Sequence, residues 1–259
     1  METMEGKVAL VTGGSRGIGF AIAEALARRG ARVVVTGRDA GHGEEALTAL
    51  RAIGGDAAFE QGQAGDAAVM SAIVQRTVQR CGGLDLVVSA GAEGPFGPRP
   101  FAELTAEEIR ASFEARLMPR IIPVHAALPA LRERGGGSIV LITTDAARHP
   151  TPGESVIGAA GAAIVLMTKA LAREFARWKI RVNAVALTLT SETPGWDRIF
   201  SKPSFENRLF SKALERFPQG RAPTAAEVAA VAAFLASDAA CQVNGQTVSV
   251  NGGLSFGGW

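Results

Sequence analysis

The chain has 259 residues, 47% apolar and 20% charged, with two cysteines, three histidines and a formal charge of +2. That length supports one domain with a sizeable core. The near-balanced charge, with no dense Lys/Arg run, argues against nucleic acid or a membrane surface as partner. Cys81 and Cys241, with His42, His125 and His149, form no metal-ligand spacing, so no metal site is expected. Apolar stretches such as 157–168 are short and glycine-interrupted, and residues 1–6 lack the pattern of a signal peptide; a cytoplasmic protein with free thiols is the expectation.

In chain order, short β-branched runs alternate with longer Ala-rich helical stretches, the pattern of βαβ units around a parallel sheet. Strands are predicted over 7–11, 32–36, 57–61, 84–89, 138–143, 180–186 and 247–250. Helices are predicted over 17–29, 44–53, 67–80, 106–134, 157–178 and 225–236. Pro119, Pro123 and Pro129 predict kinks or breaks in the fourth helix. Residues 193–220 mix polar and aromatic side chains and suit a helical lid over a pocket. The expected architecture is α/β: a single dinucleotide-binding domain over 1–259, a Rossmann fold with a doubly wound parallel sheet of about seven strands.

Gly13, Gly17 and Gly19 follow the first strand and open the first helix. Glycine is needed where the chain turns tightly and where backbone approaches a pyrophosphate, which the helix N-terminus then attracts. Thr12-Gly-x-x-x-Gly-x-Gly19 resembles the cofactor loop of the short-chain dehydrogenase/reductase family. The likeness continues through Ser89-Ala-Gly91, residues 221–227 and the glycine-rich segments 244–246 and 251–253. The resemblance implies cofactor contacts from Gly13, Ser15, Arg16, Gly17, Ile18, Gly19, Arg38, Gln63, Ala64, Ser89, Ala90 and Gly91. After the second strand the chain reads Thr36-Gly-Arg38-Asp39, with glycine where NAD-users tend to carry aspartate. Arg38 and Arg16 could together clamp a 2′-phosphate, so NADP(H) is expected over NAD(H).

The same family works with serine, tyrosine, lysine and asparagine, and this chain contains no tyrosine at all. Aligned outward from the fifth strand, Thr144 takes the serine position, Ile157 the tyrosine, Gly161 the lysine and Arg116 the asparagine. An isoleucine neither gives nor takes a proton. General acid–base catalysis is worth on the order of 10²–10⁴ in rate, so ordinary carbonyl or alcohol redox should be very weak or absent. Thr144, Arg116 and Asp145 are the candidate catalytic residues. Arg116 is expected to enter the volume that Gly161 leaves, Asp145 to stand at the pocket mouth, and His149 to lie on the same loop.

The readings are therefore an oxidoreductase homologue with a degenerate site, acting alone or as a non-catalytic partner of an active homologue; a reductase of an activated C=C or other unusual substrate; or a dehydratase or isomerase using Arg116 and Asp145. A small-molecule ligand is expected throughout. Trp196, Phe200, Phe205, Phe210 and Phe217 are expected to pack lid helices onto the sheet. Small residues in 158–163 suit close approach of a second copy, as in the homodimers or homotetramers that the resemblance implies.

Overall fold

Every strand pairing in this protein is parallel. In the computed structural model, which describes residues 3–91 and 94–256, the strands are Val8–Thr12 (β1), Arg32–Gly37 (β2), Ala57–Gln61 (β3), Leu86–Ser89 (β4), Gly137–Thr144 (β5), Ile180–Leu187 (β6) and Thr247–Val250 (β7). They lie in the order β3-β2-β1-β4-β5-β6-β7. The helices are Gly17–Ala27 (α1), Ala40–Ala52 (α2), Ala67–Cys81 (α3), Ala106–Glu133 (α4), Ser155–Phe175 (α5), Pro194–Phe200 (α6), Phe205–Leu214 (α7) and Ala225–Ala236 (α8).

Alternation along each strand sends neighbouring side chains to opposite faces. Ala9, Val11, Val33 and Val35 pack under α1, α2 and α8, whereas Val8, Leu10 and Val34 pack under α3, α4 and α5. Two apolar layers thus sandwich the sheet, which is why its strands read as unbroken Val/Ile/Leu runs. The strand order reverses between β1 and β4, and the carboxyl ends of these strands open a crevice there, the usual ligand position in such sheets.

The three prolines do not break α4, which runs uninterrupted from residue 106 to 133. Its start is held by a capping box between Thr105 and Glu108, and its Val124, Ala127 and Leu131 are buried against the sheet. Pro123 has no N–H for the carbonyl one turn back, and the Ser89 hydroxyl lies within 3.3 Å of that Pro119 oxygen and 3.0 Å of the Arg120 oxygen. Ser89 thus offsets part of the loss. The second helix starts earlier than expected, at Ala40, because the Asp39 carboxylate accepts from the His42 N–H at 2.8 Å.

Residues 155–178 are long and apolar enough by composition to cross a membrane, with a mean hydropathy of 1.8. Here α5 instead lays Ile164, Val165, Thr168, Ala172 and Phe175 against the sheet. Residues 193–220, expected as a lid or insertion packed onto the sheet, contain two helices, α6 and α7, around a separate small core of Leu189, Ile199, Phe217 and Ala222 to which Trp196, Phe200 and Phe210 add their rings.

Candidate functional site

A cleft of about 900 Å³ opens at the carboxyl ends of the strands, with α6 and α7 along one wall. The glycine loop forms its floor. Gly13 has φ +64°, and a Cβ there would lie 2.4 Å from the Gly91 Cα; at Gly19 it would lie 2.1 Å from the Gly13 carbonyl oxygen. Neither position admits a side chain, so backbone meets backbone and α1 begins against the cleft. Ser15, Arg16, Gly17, Ile18, Gln63, Ala64, Ala90 and Gly91 line this end, as expected. Ser89 does not: it is completely buried beneath the floor, engaged with the carbonyls of α4.

Arg16 and Arg38 both border the cleft beyond β2. A Cβ on Gly37 would stand 2.6 Å from the Ser15 Oγ, so a side chain there would require the Ser15 hydroxyl to turn aside. Asp39 stands at the same edge of the cleft. The N–H of His42 holds its carboxylate as the helix cap and keeps its pKa below the ordinary value, with a smaller contribution from the nearby Arg16. Thr36 Oγ1, buried at the cleft edge, has no hydrogen-bond partner among the described residues.

At the other end lie Thr144, Ile157 and Gly161, all lining the cleft. The volume beside Gly161 is not empty. A Cβ there would meet the Thr144 Cγ2 at 2.7 Å, the Ala147 Cβ at 3.1 Å and the Thr143 Oγ1 at 3.2 Å. The extra methyl of threonine over serine occupies the space a longer residue 161 would need. Thr144 Oγ1 accepts from the Ala146 N–H at 3.2 Å, capping a short turn.

Arg116 lines the cleft but does not enter the space by Gly161. Its Nε donates to Ser112 Oγ at 3.1 Å and its Nη2 to the Phe96 carbonyl, which turns the guanidinium toward the loop after β4. Asp145 is not a free carboxylate at the mouth. It is buried, with Ser249 Oγ donating at 2.7 Å and Ser255 Oγ at 2.9 Å, and with Asn251 and Arg148 also bound to it. Its acceptor positions are spent on pinning the C-terminal segment. His149 is exposed at the rim.

A family profile described as enoyl-(acyl carrier protein) reductase matches residues 13–255. The chain belongs to the short-chain dehydrogenase/reductase family. Among relatives of this family, an uncharacterized oxidoreductase of Methylorubrum extorquens is 34% identical over 259 residues, covering 98% of this chain and 100% of the relative. The human dehydrogenase/reductase SDR family member 4 is 32% identical over 252 residues, covering 97% of this chain and 88% of its own length. Among solved structures, an actinorhodin polyketide ketoreductase variant with NADPH superposes with a TM-score of 0.88 at 31% identity, covering 98% of this chain and 99% of that one.

Two charged residues at the family's reaction end were not legible from the motifs. Arg120, one turn after Arg116 on α4, directs its Nε to the Ile142 carbonyl and its Nη1 to the Arg116 carbonyl at 2.6 Å. Burial lowers its pKa to about 10, with help from the Arg116 charge, so it remains a cation at neutral pH. The only sequence signal is one arginine amid the apolar run Leu117-Met-Pro-Arg-Ile-Ile-Pro. The second is Glu154. It occupies the N-cap position of α5 yet makes no capping bond, and it lines the cleft one turn before Ile157. Burial raises its pKa to about 7; Arg116 and the Thr151 hydroxyl oppose that rise without cancelling it.

This shift ties stability to pH. The folded chain holds a proton on Glu154 that the unfolded chain has released once pH exceeds the ordinary value of 4.5. Stability contributed by Glu154 is therefore complete below that value and is lost as pH rises through about 7. A Glu154→Gln variant should melt with wild type at pH 4.5 and be more stable at pH 8, by at most about 3 kcal/mol. Thermal melts at the two pH values check this.

Proposed function

We propose that this protein is an NADP(H)-linked oxidoreductase whose proton chemistry departs from the tyrosine–lysine couple, leaving plain ketones and alcohols poor substrates. The carrying observation is the loop in which Gly13, Gly19 and Gly91 pack backbone on backbone, beside Arg16 and Arg38. A dinucleotide fits such a floor, because this close backbone packing presents the N-terminus of α1 to the pyrophosphate. The N-terminus of α1 and Ser15 would hold the phosphates, and Arg16 with Arg38 the 2′-phosphate; Gly37 offers no carboxylate to a bare ribose, and one oxygen of the Asp39 carboxylate is taken by the His42 N–H. Bound there, the reduced nicotinamide supplies hydride.

Arg38→Ala should weaken NADPH binding tenfold or more, about 1.4 kcal/mol, while leaving NADH within twofold. Titration of nicotinamide fluorescence reads both. Wild type that binds neither dinucleotide at millimolar concentration would overturn the redox reading and leave a ligand-binding role, alone or beside an active homologue.

Of the two alternatives, reduction of an activated C=C or other unusual substrate gains support from Glu154, an acid within the cleft. The dehydratase or isomerase reading loses its base, since Asp145 is committed to its buried network. The outer face of α5, with exposed Ala159, Ala162 and Leu166 in helical register, suits a second copy of this chain, and we place the homodimer or homotetramer there. A cytoplasmic location accompanies this reading.

A further inference from the structure

We infer that Glu154 is the proton donor to the substrate oxygen, taking over from the N-cap of α5 the task that Ile157, three residues later, cannot perform. This rests on the reading of the protein as a nicotinamide-linked oxidoreductase.

Position is the first argument. Glu154, at the N-cap, immediately precedes the helical turn that carries Ile157, and Glu154, Ile157 and Thr144 all line the cleft. Second, apart from the Thr151 hydroxyl, the Glu154 carboxyl is little engaged. It makes no capping bond at the residue where a side chain ordinarily would, and it has no ion pair within salt-bridge distance among the described residues. Asp145 nearby shows the opposite, a carboxylate saturated by donors. Third, the surroundings favour a carboxyl that keeps its proton at neutral pH. Arg116 approaches from α4 and Glu206 from α7, but Glu206 is bound to Arg198 of α6 through bonds of 2.6 and 2.8 Å, while His149 stays exposed on the adjoining loop. Burial then dominates, and the pKa of about 7 suits a group that gives a proton near the working pH.

The balance is simple. As hydride from the reduced nicotinamide reaches the carbonyl carbon, the C=O π bond breaks and its electron pair takes the proton from the Glu154 carboxyl. The carbonyl is reduced to an alcohol, the nicotinamide is oxidised, and Glu154 is left as a carboxylate beside Arg116. Solvent in the open cleft returns the proton. A carboxyl with this pKa is a stronger acid than an unassisted phenol, but Gly161 leaves no ammonium at the family's lysine position to support the developing oxyanion. Activated carbonyls, such as 1,2-diketones, are therefore the substrate class.

The test compares wild type with Glu154→Gln, using 2,3-butanedione and NADPH. Wild type should reduce the diketone with kcat falling as pH rises through about 7. The variant should bind NADPH within twofold of wild type, yet lose on the order of 10²-fold or more in kcat and the pH dependence with it. A readout independent of turnover is the infrared carboxyl band of the protein without cofactor: one band should titrate near neutrality in wild type and vanish in Glu154→Gln. Absence of that band, a variant with wild-type kcat and pH profile, or wild type that binds NADPH but leaves the diketone untouched would each overturn the assignment. Failure to bind NADPH would instead strike the underlying redox reading, and the infrared band would still report whether Glu154 carries its proton.

Discussion

Gly19→Ala is expected to cost more than a hundredfold in NADPH affinity, on the order of 3 kcal/mol or more. The added methyl would lie 2.1 Å from the Gly13 carbonyl oxygen, a backbone atom that cannot swing aside. Gly13 is itself held at φ +64° against Gly91, so the loop has no slack with which to absorb the change. Its N–H groups would be driven out of line with the phosphates they are placed to bind. Gly195→Ala serves as the comparison: it borders the same cleft, but its new Cβ would meet nothing closer than 3.7 Å, and NADPH should bind it within twofold of wild type. Fluorescence titration measures both, and thermal melting separates lost affinity from lost fold. A Gly19→Ala protein that folds and binds NADPH normally would show that the loop does not cradle the cofactor.

The second large effect concerns rebuilding the family's couple. Ile157→Tyr with Gly161→Lys should restore little, because the lysine Cβ would stand 2.7 Å from the Thr144 methyl. Adding Thr144→Ser removes that methyl while keeping the hydroxyl. The triple variant should then reduce a simple ketone on the order of 10²–10⁴-fold faster than wild type, the usual worth of a placed acid and its supporting charge. NADPH consumption under saturating ketone measures it. If the triple variant folds, binds NADPH and remains as slow as wild type, residues 144, 157 and 161 do not face the reacting carbon.

The fold could be read along the chain with little loss, because its signals are local. Ala57–Gln61, Ala225–Ala236 and Thr247–Val250 fall where periodicity and composition place them, and the seven-stranded parallel sheet follows from β-branched runs alternating with Ala-rich helices. Misreadings arose where a remote partner overrode a local preference. Prolines 119, 123 and 129 forecast breaks in α4, yet packing on the sheet and the Ser89 hydroxyl sustain the helix. Ser89, which the family resemblance puts among the cofactor contacts, is buried under the cleft floor and bonded to carbonyls of α4.

The candidate site divides in the same way. Its cradle is a continuous stretch of chain, and glycine spacing encodes backbone approach directly; the absence of tyrosine needs only a count. Side chains drawn together from separate elements are another matter. Asp145 and its donors Ser249, Asn251 and Ser255 lie over a hundred positions apart, so only folding reveals that this carboxylate is saturated. The methyl of Thr144 closes the gap at Gly161 across the space between β5 and α5.

From its residues alone this chain declared the family's glycine loop and the absence of a tyrosine and lysine at 157 and 161, since both are matters of residue identity at fixed spacing. Tertiary structure decided which charges survive as reagents. A carboxylate ringed by hydroxyls and amides is structural, whereas Glu154, desolvated in the cleft with only weak opposition from Arg116 and the Thr151 hydroxyl, has its pKa raised to about 7. Desolvation and partner count arise from three-dimensional neighbours, and order along the chain does not encode them.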